Sequence, residues 1–407
     1  FLPLSRGEEE QLLQRRRAEA PLSMVPSLLW LTLFQVLAAV QLFLASGGEH
    51  RTAPLTLLVL TAVMWWYYSS ARRRLRGFEL ETIAFFLSTL SLAVTASSAP
   101  EATVKQLVAI LLGLLFLSAL TAWMADPARL QKLRWLMAAL AIGLLSVTLV
   151  LGRSKFGAAN WIILGPFSFQ PSEIAKIFYI FAGSATLERL FHRRNLGLFM
   201  VLTGVCLLCL ALMSDFGTAC IFFATFLVIA YLRSGDAATL ALICGGAAFG
   251  AGIIVQFKPY ILSRFAAWGH AWEAASGSGY QQTRTMSAAA SGGLFGMGAG
   301  NGWLERIPAG DTDLVFGMLC EEWGLVIALL AVALAWFAVR ASRTGRSSFY
   351  TIAACAAGSL LVFQTSLNVF GSVDLLPLTG VTFPFVSNGG SAMIASWGLL
   401  AFLRGAD

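Results

Sequence analysis

The chain has 407 residues, of which 57% are hydrophobic and 12% charged, with 28 basic against 21 acidic side chains and a net charge of +7. An ordinary soluble domain is about one quarter charged, so this composition excludes a soluble globular enzyme. Its apolar runs lie near the ~20 residues that a helix needs to cross a bilayer.

Residues 1–24 read as a polar, cytoplasmic leader ("RGEEEQLLQRRR") with no cleavable signal evident. Twelve apolar segments follow, near 25–46, 54–70, 79–98, 104–124, 134–151, 173–190, 196–213, 217–233, 238–256, 313–340, 348–370 and 385–403. The basic clusters fall in alternate loops: "ARRRLRG" (71–77), "DPARLQKLR" (126–134), "RLFHRRN" (189–195), "RSGD" (233–236) and "RASRTGR" (340–346). One orientation satisfies them all, with both termini cytoplasmic. The basic balance is therefore a signature of orientation and of attraction to anionic lipids, and no nucleic-acid partner is expected. The fold class is an all-α polytopic membrane protein of about twelve spanning helices, with long outer loops at about 152–172 and 257–312.

The six cysteines all lie in apolar runs, and the Cys206/Cys209 pair has no second pair to complete a metal site, so core packing is the expected role. His50, His192 and His270 are scattered and make no metal signature.

Chemistry-bearing residues collect at the outer ends of the segments. In "FQPSEIAKI", Pro171 suits a first helical turn, and Glu173 and Lys176 share a face as a buried ion pair, structural or ligand-binding. In "MSDFGTA", Asp215 lies between two apolar runs, either in a tight turn beside Thr218 or in a polar site. In "PAGDTDLVFGMLCEEWGLV" (308–326), Asp311 or Thr312 is a candidate N-cap, which puts Asp313 in the first turn of a helix, where the dipole favours its ionised form. Glu321 follows about 12 Å further along the axis, and Glu322 points to the opposite face. A carboxylate at that depth needs a polar cavity or a partner. "PFVSNGGSA" (384–392) is rich in small and polar residues at the start of the last segment. Together these clusters describe an acidic site facing outward.

At these residues the sequence resembles the shape–elongation–division–sporulation family, the RodA/FtsW/SpoVE proteins. "NWIILGPFSFQPSEIAK", "SDFGTA", "GYQQTRTMSAAASGGLFGMG", "DTDLVFGMLCEEWGLV" and "LPLTGVTFPFVSNGGSA" match family motifs in order. The family reads "PDLGTA", "TDFIFAVIGEELGLVG" and "LPVTGVPLPFVSYGGSS" at the second, fourth and fifth of these. Asn160 stands where the family commonly has arginine, Ser214 where it has proline and Asn388 where it has tyrosine. Arg284 or Lys155 is the cation that would replace the missing arginine. The family has ten spanning helices, so residues 25–74 form two extra N-terminal helices ahead of a core at 75–407.

The resemblance implies a peptidoglycan glycosyltransferase that polymerises lipid II at the outer face of the bacterial plasma membrane, with Asp313 as general base. It implies a substrate site drawn from Trp161, Gln170, Glu173, Lys176, Asp215, Tyr280, Gln281, Arg284, Ser287, Glu321, Ser387, Asn388 and Ser391. A cation would stabilise the departing diphosphate: a Lys or Arg, or a divalent ion (Mg2+ or Mn2+) held by Asp311 and Asp313. The expected partners are membrane lipids and a class B penicillin-binding transpeptidase. A lipid II flippase and a non-catalytic scaffold of the cell-wall machinery are the alternatives.

Overall fold

The computed structural model describes residues 24–48, 51–72, 77–126, 130, 132–155, 158–165, 167–187, 193–235, 237–257, 265–340 and 348–406. The leader before Met24 and most of the basic loop residues lie outside this set. Among the described residues the chain is a helical bundle. Its first helices are α1 (Val25–Ala45), α2 (Thr52–Ala71), α3 (Glu79–Ser98), α4 (Thr103–Met124) and α5 (Arg134–Leu151). A small meander follows, β1 (Arg153–Lys155), β2 (Ala158–Leu164) and β3 (Phe167–Phe169), then α6 (Pro171–Leu187), α7 (Arg193–Leu212), α8 (Phe216–Ser234) and α9 (Ala237–Phe257). The last third holds α10 (Tyr280–Gly292), α11 (Val315–Met318), α12 (Gly324–Arg340), α13 (Ser348–Ser372) and α14 (Gly390–Ala406).

Each of the twelve apolar segments is helical over most of its described residues. Among the described residues seven helical stretches are individually long and apolar enough to cross a membrane: α1, α3, α4 with the turn before it, α5, most of α7, α11 through most of α12, and α13. Several boundaries differ from the sequence reading. The last helix starts at Gly390 rather than 385, because Phe383 to Asn388 are fixed in a turn, where the Val386 and Ser387 N–H groups both donate to the Phe383 carbonyl. The segment from 313 starts at Val315 and does not run straight: Leu319–Trp323 widen into a π turn before α12. Gly324 supplies the positive φ of 85° at that junction. The two long loops carry regular structure: Arg153–Lys155, Ala158–Leu164 and Phe167–Phe169 form an antiparallel sheet in order β1-β2-β3, and Tyr280–Gly292 is helix.

The interior is built around α3, α6, α13 and α14, whose residues are largely buried. Close packing there relies on glycine: a Cβ on Gly113 would meet the Trp397 side chain at 2.8 Å, and one on Gly398 would meet Ile177 and Phe116 at 2.6 Å. One end of the bundle carries the loops between α3 and α4, α5 and α6, α7 and α8, α9 and α11, and α13 and α14. Side chains tie these loops to one another. The opposite end is closed by a buried Glu81–Arg404 ion pair at 3.5 Å and by the Tyr350 hydroxyl, which donates to the Met124 carbonyl. α1 and α2 pack against α3, where Gln35, fully enclosed, donates to Thr89 Oγ1 at 3.0 Å and accepts from Thr61 Oγ1 at 2.9 Å.

Candidate functional site

The site forms where the turn before α11 meets the loop before α14. Residues 309–314 are turns, and the residue that precedes α11 is Leu314, with no side-chain cap. Neither Asp311 nor Thr312 caps a helix, which corrects the sequence reading; their work is to bind the other loop. Asn388 Nδ2 donates to Asp311 Oδ2 at 2.7 Å, and the Asn388 N–H donates to the Asp311 carbonyl at 2.9 Å. Ser387 Oγ donates to the Thr312 carbonyl at 2.7 Å and accepts from the Phe383 N–H at 2.8 Å. Asp313 is half-buried, and its carbonyl accepts from Asn368 Nδ2 at 3.0 Å. The same Nδ2 donates to the Val381 carbonyl at 2.7 Å, so one α13 side chain fixes both strands of the site.

The remaining candidates join this framework at different distances. Lys176 and Glu173 form an ion pair at 2.7 Å, and both are buried. Lys176 Nζ also donates to Gln364 Oε1 at 3.0 Å, while Gln364 Nε2 donates to Thr382 Oγ1 at 2.9 Å. The ammonium is thus built into the wall beneath the loop. Above it, Ser391 Oγ accepts from the Gln170 N–H at 3.0 Å. Asp215 is the N-cap of α8, accepting from the Thr218 N–H at 3.1 Å. Asn160 Nδ2 donates to its other oxygen at 2.7 Å, which fastens β2, and with it the half-buried Trp161, to the start of α8. α8 in turn abuts the central loop, since a Cβ on Gly217 would meet Val381 at 2.5 Å.

α10 forms another wall. Gln281 Nε2 donates to the Pro308 carbonyl at 2.9 Å, the exposed Arg284 guanidinium lies 5.2 Å from the Tyr280 ring, and Ser287 Oγ donates to the Thr283 carbonyl at 2.8 Å. Arg284 is therefore the exposed cation on this wall, whereas Lys176 is enclosed.

Glu321 finds the partner that a carboxylate at its depth requires. It is fully enclosed, and its two carboxylate oxygens accept from the Trp303 and Leu304 N–H groups at 2.9 and 3.1 Å. Glu322 does not face away, because the π turn breaks the 100° spacing. It too is buried, accepting from Ser97 Oγ at 2.8 Å. The neighbouring Ser98 Oγ donates to Asp311 Oδ2 at 3.3 Å, so the end of α3 holds both acidic segments. On the loop side, burial raises the Glu305 carboxyl above the ordinary carboxylate range, with Glu321 adding to the rise and Arg306 opposing it.

Three of the four non-glycine residues with positive φ among the described residues lie near the site, the fourth being Asp374. Ser214, Ala309 and Phe385 have φ of 61°, 61° and 63°, and each lies within three residues of a polar group of the site. Non-glycine residues held this way cost about 1–3 kcal/mol each.

Among the described residues no group of three or more His, Cys, Asp or Glu could hold a metal ion. Of the acidic pair considered for a divalent cation, Asp311 accepts from Asn388 and Ser98 through Oδ2. Sequence reasoning missed Ser98, Gln364 and Asn368. The available signal was Gln364 and Asn368 four apart in an apolar helix, which places both on one face.

Comparison with known proteins supplies the remaining evidence. The family described as cell cycle proteins of the FtsW, RodA and SpoVE type matches residues 78–406. A probable peptidoglycan glycosyltransferase FtsW from Tolumonas auensis is 36% identical over 282 residues, 66% of this chain and 73% of that one. The protein of the same name from Escherichia coli O157:H7 is 34% identical over 279 residues, 65% and 67% of the two chains. Among solved structures, a chain of a peptidoglycan synthase complex described as coordinating polymerization and crosslinking aligns with a TM-score of 0.67 at 27% identity, covering 80% of this chain and 96% of that one. The rod shape determining protein RodA from Thermus thermophilus aligns with a TM-score of 0.58 at 24% identity, covering 80% and 94%, a likeness of fold.

Proposed function

The chain belongs to the FtsW/RodA/SpoVE family, and on that premise we propose that it is a peptidoglycan glycosyltransferase that polymerises lipid II at the outer face of the bacterial plasma membrane. The observation that carries this reading is the convergence of the 309–314 turn and the 381–388 loop at one end of the bundle, with Asp313 half-buried between them and its backbone fixed by Asn368. That end is the outer one in the N-in, C-in orientation set by the basic loops. Twelve spanning helices, two of them ahead of the family core, complete the topology.

The reaction forms a glycosidic bond between an acceptor sugar hydroxyl and the anomeric carbon of a polyprenyl-diphosphate-linked donor. Asp313 accepts the hydroxyl proton as the oxygen attacks. The bond from the anomeric carbon to the diphosphate oxygen breaks, and the diphosphate leaves with its electron pair and negative charge. It needs no general acid, being a good leaving group already. Arg284, exposed on α10, is the cation available to that charge. Lys176 acts at one remove, holding the loop before α14 in place through Gln364. No step depends on a divalent cation. The released chain would pass to a class B penicillin-binding transpeptidase for crosslinking.

Purified protein in vesicles supplied with fluorescent lipid II tests the assignment. Polymer ladders support a transferase. Movement of the dye across the bilayer without polymer identifies a flippase, and neither result identifies a scaffold.

A further inference from the structure

The helical stretch formed by α11 and α12 is interrupted by the π turn Leu319–Trp323. Val315–Ala335 is long and apolar enough to span, and about 20 residues counted back from Arg340 at the basic end put the edge of the hydrocarbon near Glu321. The π turn and Gly324 fall at or just inside that edge. A broken helix there leaves backbone groups without partners, at several kcal/mol each in hydrocarbon.

The glycine-rich strip after α10 supplies those partners. The Met297 N–H donates to the Glu321 carbonyl at 2.8 Å and the Gly298 N–H to the Glu322 carbonyl at 3.0 Å. In return the Leu325 N–H donates to the Gly293 carbonyl at 3.0 Å and the Val326 N–H to the Leu294 carbonyl at 3.3 Å. Direct hydrogen bonds leave the strip no freedom of depth: it lies where the break lies. Glycine makes the approach possible, because a Cβ on Gly292 would meet the Cys320 carbonyl at 2.0 Å and one on Gly296 the Glu322 carbonyl at 2.3 Å. The side chains that leave the strip outward are apolar. Phe295 is 85% exposed, and Leu294 and Met297 are exposed too. They adjoin Leu325 and Val326, the start of the exposed apolar stripe that Leu329 continues down α12.

We propose that Tyr280–Trp303 is a re-entrant segment, entering the outer leaflet as α10 and returning as the glycine-rich strip, with Leu294, Phe295 and Met297 in contact with lipid acyl chains. The continuity of this patch with the stripe of a spanning helix selects lipid as its occupant. A water-soluble partner would have to enter the hydrocarbon to reach it. The proposal rests on the membrane-spanning fold and not on the glycosyltransferase activity.

Spin-label accessibility in lipid nanodiscs tests it, using the full chain with Cys220→Ala, Cys244→Ala and Cys355→Ala to silence the cysteines that are not buried. Labels are placed at Phe295→Cys, at Val326→Cys as the acyl-chain reference and at Glu273→Cys as the aqueous reference. Collision with oxygen, which partitions into lipid, is compared with collision with a water-soluble nickel chelate. The expected oxygen-to-nickel ratio at 295 equals that at 326 and exceeds that at 273 several-fold. A ratio at 295 like that at 273 overturns the proposal, and so does screening from both reagents, which would mean that protein covers the patch. Leu294→Cys gives the same reading if Phe295→Cys does not fold. None of these outcomes depends on polymerisation, so failure here and failure of the enzymatic assignment are separate results.

Discussion

Asn388 grips Asp311 twice, side chain to side chain at 2.7 Å and N–H to carbonyl at 2.9 Å. This places the loop before α14 directly on the turn that carries Asp313. The family commonly has tyrosine at this position, so here an amide makes the connection between the two loops. Asp311 is therefore a fastening, and the base we propose is its neighbour Asp313.

Asp313→Asn keeps the size of the side chain and removes the base. Loss of a general base commonly lowers the rate by about 10²–10⁴-fold, and a ladder assay with purified protein should show that loss with thermal stability unchanged. Asp311→Asn retains an oxygen that can accept from Asn388 and should reduce polymerisation far less. Polymerisation by Asp313→Asn at the wild-type rate would exclude this assignment of the base.

Asn368→Leu removes both bonds that join the Asp313 and Val381 carbonyls. Net hydrogen-bond contributions of about 0.5–1.5 kcal/mol each predict a moderate drop in melting temperature. The larger effect should be on kcat, with KM little changed, because the side chain acts by fixing the backbone at the proposed base. A change in KM alone would argue against this positioning role.

Lys176→Ala leaves the Glu173 carboxylate buried without its ion-pair partner, which typically costs about 3–5 kcal/mol. Yield and melting temperature in detergent should fall sharply. The double variant Glu173→Gln, Lys176→Met removes both charges and should recover much of the loss. Equal stability of the single variant and the wild type would show that the pair contributes nothing.

Gly324→Ala puts a Cβ 2.3 Å from the Leu294 carbonyl at a residue with φ of 85°. Both the contact and the strain, the latter about 1–3 kcal/mol, predict a destabilised protein with impaired activity. Gly204→Ala in α7, where nothing lies within 4 Å, should be neutral or stabilising, since alanine in a helix is favoured over glycine by about 1 kcal/mol. Melting curves of the two variants in the same detergent compare them directly.

The membrane class and the positions of the apolar helices were legible in the sequence, because length and hydropathy alone decide whether a segment can lie in lipid. The Glu173–Lys176 pair was legible too, since residues three apart on a helix must meet. The rest depended on contacts between residues distant in sequence. Pro308 to Leu314 read as a helix entrance, yet the partners that hold Asp311, Thr312 and Asp313 come from α3, α13 and the loop before α14, so they form turns. Glu321 and Glu322 read as opposite faces of one regular helix. Gly324 and the strip 293–298 make another arrangement possible by supplying the hydrogen bonds that a broken helix lacks, and both carboxylates end up buried. Periodicity describes a helix that satisfies its own backbone; where a distant segment satisfies it instead, only the tertiary structure decides the geometry.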